Sequence, residues 1–337
     1  MKEILSNVVA GKNLSREEAE KAIKTIMSGQ SNDIEITALL TGLKIKGESA
    51  EEIASFAKVM REFAVRIEPK VSGTLVDMCG TGGDKSNTFN ISTTAAFIVA
   101  GAGIPVAKHG NRALTSKCGS ADVLEALGMN LSTSPEKICK SIEEVGIGFM
   151  YAPMHHSAMK HVMPVRKALG YRTVFNILGP LTNPANAKAQ LMGVYDPNLT
   201  EKLAEVFRML GLERAMVVHG SPGLDELSTI GETKVSELKD GKVNTYYIRP
   251  ADYRLKKADI KDLLGGSPQE NAQILQDIIK GVDKGPRRDI ALLNAAAGIV
   301  VGGKANNISE GLIMAKEVLD SGKAYKKLNE YIEYNRK

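Results

Sequence analysis

The segment DMCGTGGDKSNTFNIST, residues 77–93, carries three glycines and a run of polar side chains between two apolar stretches. The residues before it predict a short buried strand, and the run from Thr93 to Ala100 predicts a helix. A glycine turn between a strand and a helix start presents backbone N–H groups to an anion. The loop is neither a Walker A sequence, which needs Gly directly before Lys, nor a dinucleotide fingerprint. It is either an anion-binding loop of another kind or a tight turn whose glycines supply unusual dihedral angles.

Asp84, in the middle of this loop, restricts what the loop can bind. A carboxylate beside a bare phosphate repels it, unless the carboxylate binds sugar hydroxyls, water or the hydration shell of a metal ion. Asn90, Ser92 and Thr93 stand where the next helix begins, and their side chains can donate hydrogen bonds to a ligand.

A second candidate loop, KHGNRALTSKCGSADVLEALG at residues 108–128, follows the strand-like sequence IPVA. Its cations and hydroxyls suit a polyphosphate or pyrophosphate, although the same composition is typical of a solvated basic loop. The polar residues concerned are Lys108, His109, Asn111, Arg112, Thr115, Ser116 and Ser120.

A third loop, in VVHGSPGLDELS at residues 217–228, places Asp225 and Glu226 side by side after another strand. Adjacent carboxylates repel each other unless a cation lies between them, although in loops they are often simply solvated. Proteins typically hold Mg²⁺ with one or two carboxylates plus substrate phosphates. Because ligands of open α/β sheets bind at the carboxyl ends of strands, three such ends in apparent succession predict a site for a magnesium-bound phosphate ester.

The segment MHHSAMKHVMPVRKALG adds His155, His156, His161 and Arg166. His156 and His161 are five residues apart and do not share a helix face, so the histidines are interpreted as packing or lining residues rather than zinc ligands. Arg166 is either a surface cation or a fork for a substrate carboxylate.

Composition excludes several classes of protein. The chain has 337 residues, 43% of them hydrophobic and 25% charged, with a net charge of +5 spread along its length. That charge suits anionic substrates but is too diffuse to indicate nucleic acid. Cys79, Cys118 and Cys139 have no metal-site spacing, and no apolar run reaches transmembrane length, so we expect a reduced, cytoplasmic protein with no membrane partner.

The first 70 residues predict helices only, with capping boxes at Ser15/Glu18 and Ser49/Glu52. From Val71 onward, β-rich runs alternate with helices, which predicts a mostly parallel sheet flanked by helices. The predicted strands are TLVDM, IPVAK, IGFMY, AQLMGVY, AMVVHG and VNTYYI; RDIALLNAAAGIVVGG and a last segment, ISEGLIMAKEVLDSG, predict helices.

The predicted fold class is therefore α/β, with a small all-helical N-terminal domain and a large α/β domain. The helical domain covers residues 1–70 and is completed by about 157–183, because that segment interrupts the alternation with helical, Gly/Pro-punctuated sequence. The α/β domain covers 71–156 and 184–337.

Seven motifs between residues 79 and 226 together carry a family resemblance: CGTGGD, NIST, KHGNRA, GSADVLEALG, HHSAMK, VRKALGYRTVFNILGPLTNP and GLDE. In this order they are similar to those of the anthranilate phosphoribosyltransferases and, more distantly, the pyrimidine nucleoside phosphorylases. The resemblance implies a helical domain plus an α/β domain and a homodimer joined through the helical domain. It also implies transfer of the 5-phosphoribosyl group from 5-phosphoribosyl 1-pyrophosphate (PRPP) to the amine of anthranilate.

The resemblance also implies roles for individual residues. Lys108, His109 and Arg166 are implied to be catalytic, and Mg²⁺, two ions per active site, is implied at Ser92, Asp225 and Glu226. Anthranilate is implied to meet Gly80, His109, Asn111, His156 and Arg166. The implied PRPP contacts are Gly80, Gly83, Asp84, Thr88, Asn90, Ile91, Ser92, Thr93, Lys108, His109, Gly110, Asn111, Arg112, Ala113, Leu114, Thr115, Ser116 and Ser120.

One position departs from the family: Ser157 stands where proline commonly follows the paired histidines, which puts the shape of the anthranilate channel in question. Two rival functions are a pyrimidine nucleoside phosphorylase-like pentosyltransferase and a non-enzymatic nucleic-acid-binding relative. The acid pair and KHGNR count against the first. The second should have lost site residues and gained a basic stripe, which the sequence does not show.

Overall fold

The computed structural model describes residues 1–113 and 117–336. The N-terminal part is helical, as predicted: α1 (Lys2–Val9), α2 (Arg16–Met27), α3 (Asp33–Lys46) and α4 (Ala50–Phe63). The predicted capping boxes at Ser15/Glu18 and Ser49/Glu52 are both present, and a third, unpredicted one joins Asn32 and Glu35. Each box satisfies two backbone N–H groups that a helix start would otherwise leave unpaired.

The rest of the described chain builds an α/β layer whose sheet contains β1 (Val76–Met78), β2 (Val106–Gly110), β3 (Ile147–Tyr151), β4 (Ala189–Gly193), β5 (Arg214–Gly220), β6 (Thr233–Lys239) and β7 (Lys242–Ile248). Its order is β3-β2-β1-β4-β5-β6-β7. The pairs from β3 to β5 are parallel, and β6 and β7 add an antiparallel rim. The predicted fold class is confirmed.

Helices lie between and after these strands. They are α5 (Ile91–Gly101), α6 (Ser120–Ala126), α7 (Pro135–Glu144), α8 (Ala152–His155), α9 (Met163–Leu169), α10 (Phe175–Leu178), α11 (Leu199–Met209), α12 (Pro268–Ile279), α13 (Pro286–Val301), α14 (Ile308–Asp320) and α15 (Lys323–Arg336). No helix within the described ranges is both long and apolar enough to cross a bilayer.

Successive residues of the central strands are buried on opposite faces, as a sheet covered on both sides requires. Leu191 and Met216 face the core built mainly with α5, α12, α13, α14 and α15. Met192 and Val217 face a second core, which contains apolar residues of α1 to α4 and of the segment from Val162 to Leu181. That segment therefore packs with the N-terminal helices, while the bounds of the two domains stay a prediction.

The sequence expectations do not include helix α12, strand β6 or helix α15. Strand β6 is not predicted from the sequence, because TKVSELK mixes apolar and charged residues without a long apolar run. The helix at 308–320 is not the last one: α15 follows, polar overall but with Ala324, Leu328 and Tyr331 buried at helical spacing. The Tyr331 hydroxyl accepts the backbone N–H of Phe149 in β3 at 2.9 Å.

Glu52 ties the N-terminal helices together from a fully buried position. Its Oε1 accepts the backbone N–H of Leu14 at 2.8 Å. Its Oε2 accepts the N–H of Ser49 at 2.8 Å and the Nζ of Lys46 at 2.7 Å. One carboxylate thus joins the start of α2, the end of α3 and the start of α4.

We expect Glu52→Ala to lower the free energy of unfolding by about 3–5 kcal/mol, because it takes the carboxylate from a buried ion pair with Lys46 and the acceptor from the N–H groups of Leu14 and Ser49. Urea titration followed by circular dichroism measures this change. Glu51→Ala, one residue away and exposed, is the matched control and should change the stability by less than about 0.5 kcal/mol. Equal effects of the two substitutions would contradict the assignment.

Candidate active site

The candidate site lies at the carboxyl edge of the sheet, where the strand order reverses. The chain moves from β1 to β2 and β3 on one side, then continues as β4 on the other side of β1. Such a switch point opens a crevice between diverging loops. The loops after β1 and β2 are neighbours, but the loop after β5 is not their direct neighbour, because β4 lies between β1 and β5. The expectation of three successive strand ends is therefore wrong in this respect.

The loop after β5 reaches across β4 because β4 ends in glycine. A Cβ at Gly193 would lie 1.5 Å from the backbone carbonyl oxygen of Asp225, so no other residue fits beneath the loop. The Asp225 carboxylate then meets the loop after β1: its Oδ2 accepts the backbone N–H of Gly82 at 2.7 Å. A Cβ at Gly80 would lie 2.7 Å from the same oxygen. The loops after β1 and β5 therefore meet around one aspartate.

The glycine loop after β1 has an unusual backbone. Gly82 and Gly83 have φ of 64° and 75°, and the non-glycine residues Lys85 and Asn87 also have positive φ, at 62° and 53°. Left-handed non-glycine residues cost conformational energy and concentrate at functional sites. The glycines of this loop thus supply both unusual dihedral angles and, at Gly80, space for a carboxylate.

Glu226 bonds to the start of α5. Its Oε1 accepts the backbone N–H of Ser92 at 3.0 Å, in the first turn, where the helix dipole favours negative charge. Burial raises the pKa of Glu226 to about 8, and neighbouring Asp225 adds to the shift. Burial also raises the pKa of Asp225 to about 7, with Asp84 adding to that shift. The ionised acids are crowded in a poorly solvated place.

This crowding fits a divalent cation, which would relieve the repulsion among the acids. No group of three or more His, Cys, Asp or Glu side chains among the described residues could hold a metal ion without further ligands. Two carboxylates and a hydroxyl are the donor set of an ion that keeps several waters and shares its coordination with substrate phosphates. Asp225, Glu226 and Ser92 therefore suit Mg²⁺ better than a metal that requires an all-protein cage.

Lys108 is buried in β2 and points its ammonium at the end of β1. Its Nζ donates to the carbonyl oxygen of Met78 and lies 3.4 Å from the Oγ of Ser92. Its positive charge lowers the pKa of Glu226 and so partly offsets the effect of burial. Lys108 is thus a cation fixed in the floor of the site.

Asp77, which sequence reasoning assigned only to a strand, is fully buried beneath the site. Its Oδ1 accepts the N–H of His109 at 3.1 Å, and its Oδ2 accepts the Nδ2 of Asn183 at 2.7 Å. Burial raises the pKa of Asp77 to about 6, whereas the bond to Asn183 and the charge of Lys108 oppose the rise. An acid inside an apolar strand was the available sequence signal for this residue.

Three histidines, His109, His155 and His156, lie close to one another. The rings of His109 and His156 lie 5.1 Å apart, and His155 bonds through Nδ1 to the carbonyl of Val65 at 2.7 Å. Burial, followed by the nearby His156, holds the pKa of His109 well below its usual range, and both of its ring nitrogens are unpaired within the described residues. Such a group is a neutral lining ring and a weak base near neutral pH. The expectation that His155 and His156 line or pack is consistent with their burial; His161 packs over Gly29 instead.

The second loop does not present all its predicted cations to a ligand. Arg112 forms a two-pronged ion pair with Glu125, approaches Asp122 at 3.3 Å and bonds to the hydroxyl of Tyr151 at 3.1 Å. Asp122 also accepts the N–H of Ala113 at 2.9 Å. Asn111 is exposed, and its carbonyl accepts the Oγ of Ser120 at 3.3 Å. Leu114, Thr115 and Ser116 lie outside the described residues.

The helix start after the glycine loop is partly structural. Asn90 precedes α5 without a side-chain capping bond; its Oδ1 accepts the Nδ2 of Asn271 at 3.0 Å, which links the loop to α12. Thr88 forms an isolated bridge with Leu264, and Ile91 is buried. Thr93 Oγ1 is buried and unpaired within the described chain.

Arg166, on α9, is a half-buried cation without an ion-pair partner among the described residues. Its guanidinium lies 5.8 Å from the ring centre of Phe175, and burial lowers its pKa. A desolvated, unpaired guanidinium is suited to receive a carboxylate. Two further residues beside the glycine loop, Arg172 and Tyr195, were not expected from the sequence, because only the fold brings them there.

Known proteins share this architecture over the whole chain. The family model described as "Glycosyl transferase family, helical bundle domain" matches residues 2–64, and the "Glycosyl transferase family, a/b domain" matches 72–325. The anthranilate phosphoribosyltransferase of Methanocorpusculum labreanum is 55% identical over 98% of this chain and 96% of its own. Among solved structures, that of the Thermus thermophilus enzyme has a TM-score of 0.94 at 43% identity, covering 99% of each chain. That of Saccharomyces cerevisiae in complex with PRPP and Mg has a TM-score of 0.89 at 30% identity, covering 99% of this chain and 98% of its own.

The buried His156 yields a prediction for stability. Burial lowers its pKa to about 4 in the folded chain, whereas an unfolded histidine titrates near 6.5. The unfolded chain therefore takes up the proton first, and stability present above about pH 6.5 is lost as the pH falls towards 4. Between those values, wild type should lose up to about 3 kcal/mol of unfolding free energy relative to His156→Asn. Urea titrations across this range measure the difference, and parallel curves for the two proteins would contradict the expectation.

Proposed function

The chain belongs to the anthranilate phosphoribosyltransferase family, and on that premise we propose how its site transfers the phosphoribosyl group of PRPP to anthranilate. The products are N-(5-phosphoribosyl)anthranilate and pyrophosphate, a step of tryptophan biosynthesis. The observation that carries the proposal is the meeting of the glycine loop, the buried Lys108 and the Asp225–Glu226 pair at the switch point of the sheet.

The PRPP side of the proposal uses the glycine loop and the start of α5. Backbone N–H groups of the loop and the helix dipole attract the phosphates. The Asp84 carboxylate, which accepts hydrogen bonds from the N–H and the Oγ of Ser86, is assigned to accept further ones from ribose hydroxyls. The proposed contacts are Gly80, Gly83, Asp84, Thr88, Asn90, Ile91, Ser92, Thr93, Lys108, His109, Gly110, Asn111, Arg112, Ala113, Leu114, Thr115, Ser116 and Ser120. Arg112 can join them only by leaving Glu125, so it is the member with the least structural support.

Magnesium use is supported by the yeast relative, whose structure contains PRPP and Mg. We assign Asp225, Glu226 and Ser92 to hold it, with two ions per site. When bound, Mg²⁺ would neutralise the negative charge that develops on the departing pyrophosphate. Lys108 adds a fixed positive charge from the floor of the site, where low solvation makes it more effective than in water.

The acceptor side uses the segment between β3 and β4. The guanidinium of Arg166 is proposed to bind the carboxylate of anthranilate, with Asn111 and Gly80 at the rim. The uncharged rings of His109 and His156 line the approach of the aromatic ring.

The chemistry needs few groups from the protein. The C–N bond forms as the bond from the anomeric carbon to pyrophosphate breaks, through an oxocarbenium-like transition state. The neutral aromatic amine attacks without prior ionisation and then gives its proton to solvent or to the released pyrophosphate. Catalysis can rest on stabilising the leaving group and on holding two substrates in line. The low pKa of His109 supports a lining role for it over a role as general base.

The direct test is anthranilate fluorescence, recorded after mixing the protein with PRPP and Mg²⁺, with parallel runs that omit each component. Loss of fluorescence that requires all three supports the proposal. Phosphorolysis of a pyrimidine nucleoside without Mg²⁺, and no consumption of anthranilate, would instead favour the phosphorylase rival. If the protein binds PRPP but no reaction occurs, the PRPP-binding part of the proposal would stand and anthranilate would be rejected as the acceptor.

We expect Arg166→Ala to raise the KM for anthranilate by more than about tenfold, because a charge-assisted hydrogen bond contributes about 1.5–3 kcal/mol. The KM for PRPP should change by less than about twofold. Steady-state kinetics with each substrate varied in turn measure both values. Lys167→Ala removes an exposed cation from the next position of the same helix and serves as the control. A similar rise in the KM for anthranilate in both variants would contradict the assignment of Arg166 to the acceptor site.

We also propose a cytoplasmic homodimer joined through the helical part. Helix α3 exposes Ile34 and Ile45 by 80% and 83%, with the half-buried Ala38 and Thr41 between them at helical spacing. Exposed apolar faces of this kind typically mark protein interfaces. The three cysteines are free thiols, which is typical of a reducing compartment.

The double variant Ile34→Asp, Ile45→Lys should convert the dimer to a monomer while preserving the helix, because an acid near the N-terminus and a base near the C-terminus complement its dipole. Sedimentation velocity at several concentrations measures the oligomeric state. Ile313→Lys, a charge placed at an exposed isoleucine of α14, is the control. A dimer that survives the double variant would exclude this face.

A further inference from the structure

Arg172, between α9 and α10, contacts the glycine loop at Gly83, next to the residue that Asp225 holds. Its Nη2 donates to the carbonyl oxygen of Gly83. Its guanidinium also stacks on Tyr195, with 3.8 Å between Cζ and the ring centre. Among the described residues, no carboxylate lies within ion-pair distance of Arg172. The cation is therefore committed to a backbone carbonyl and an aromatic face.

Tyr195 completes a closed set of contacts around the loop. It follows β4, and its backbone N–H donates to the Oγ1 of Thr81 at 3.3 Å. Thr81 in turn donates its N–H to the carbonyl of Gly193 at 2.9 Å. Residues 81 to 83 are thereby held at both ends, by the end of β4 and by Arg172.

The segment that carries Arg172 is attached to the N-terminal helices. The hydroxyl of the preceding Tyr171 lies 2.6 Å from the Oγ1 of Thr41 in α3. Val174 and Phe175, which follow, are buried in the same core as α1 to α4. Arg172 is thus a direct link between the helical layer and the glycine loop of the sheet.

The link fixes the direction of a peptide group. In a trans peptide the C=O and the following N–H point to opposite sides. With the Gly83 carbonyl held by Arg172, the N–H of Asp84 points away from Arg172. The φ of 75° at Gly83 favours glycine at this position, and a Cβ there would lie 3.1 Å from the Nη2 of Arg172, which is a tight contact.

We propose that Arg172 is a positioning residue that locks the glycine loop to the helical layer in the conformation that receives PRPP, with Tyr195 as its stacking platform. The proposal rests on the proposed function. It makes PRPP binding dependent on a residue anchored among the helices, and it lowers the ordering cost of binding because the loop is held before the ligand arrives.

The test compares Arg172→Ala, Arg172→Lys, Tyr195→Phe and Tyr195→Leu with wild type by two measurements. Hydrogen exchange of the Thr81 and Gly82 amides reports loop order without substrate. Calorimetric titration with PRPP and Mg²⁺ reports affinity. We expect Arg172→Ala and Tyr195→Leu to speed hydrogen exchange of the loop amides and to weaken PRPP binding by about tenfold. That change in affinity corresponds to the free energy of one charge-assisted hydrogen bond.

Arg172→Lys should recover only part of the affinity, because an ammonium lacks the planar face that stacks on tyrosine. Tyr195→Phe keeps that face and should behave as wild type, and Lys167→Ala should do the same. The KM for anthranilate should stay within about twofold of wild type in all of them, whereas a variant that distorts the proposed acceptor segment would raise it.

Two results would overturn the proposal. Unchanged exchange of the loop amides in Arg172→Ala rejects the lock, whatever the activity of the wild type. Faster exchange with unchanged PRPP affinity rejects its role in binding. Failure of wild type itself to bind PRPP would instead reject the proposed function, and the exchange measurement separates the two cases.

Discussion

One aspartate fixes the geometry on which the site depends. Asp225 lies on a loop that starts two strands away from the glycine loop, yet its carboxylate bonds directly to Gly82. The approach requires two glycines without side chains, Gly80 on the loop it meets and Gly193 on the strand it crosses. Glycines that a sequence motif associates with phosphate binding are therefore needed first to let polypeptide segments meet. A Cβ at Gly193 would move Asp225 and, with it, the carboxylate that orders the loop after β1.

The electrostatics of the site follow from this convergence. The acids are brought together in a place with little water, and their pKa values rise because the charged forms lose hydration. Lys108 and the first turn of α5 supply positive potential nearby. The histidines on the other side are uncharged for the same reason, since burial disfavours their protonated form. One half of the crevice is thus suited to a cation with its phosphates and the other to an aromatic ring.

Sequence reasoning succeeded where a single segment contains the whole signal. The capping boxes and the alternation of strands and helices each depend on neighbours in the chain, so their spacing was sufficient. It failed where the partner is distant in the chain. Asp77 accepts a hydrogen bond from Asn183, more than a hundred positions away, and Arg172 donates one to Gly83. Arg112 illustrates a different limit, because its position in the loop did not indicate that its guanidinium is ion-paired with Glu125 of the following helix. Strand β6 and helix α15 were missed because their apolar residues are sparse and acquire partners only in the folded chain.

The last helix has a consequence for the solubility of the protein. Strand β3 lies at the rim of the sheet, where unpaired N–H and C=O groups form a template for another chain. Tyr331 occupies the outward N–H of Phe149, and Ser141 of α7 donates to the outward carbonyl of Ile147 at 2.8 Å. A chain shortened before Leu328 would retain every residue of the candidate site and lose the cover that Tyr331 provides. Its failure would then take the form of edge-to-edge aggregation, in a protein whose candidate site residues are all intact.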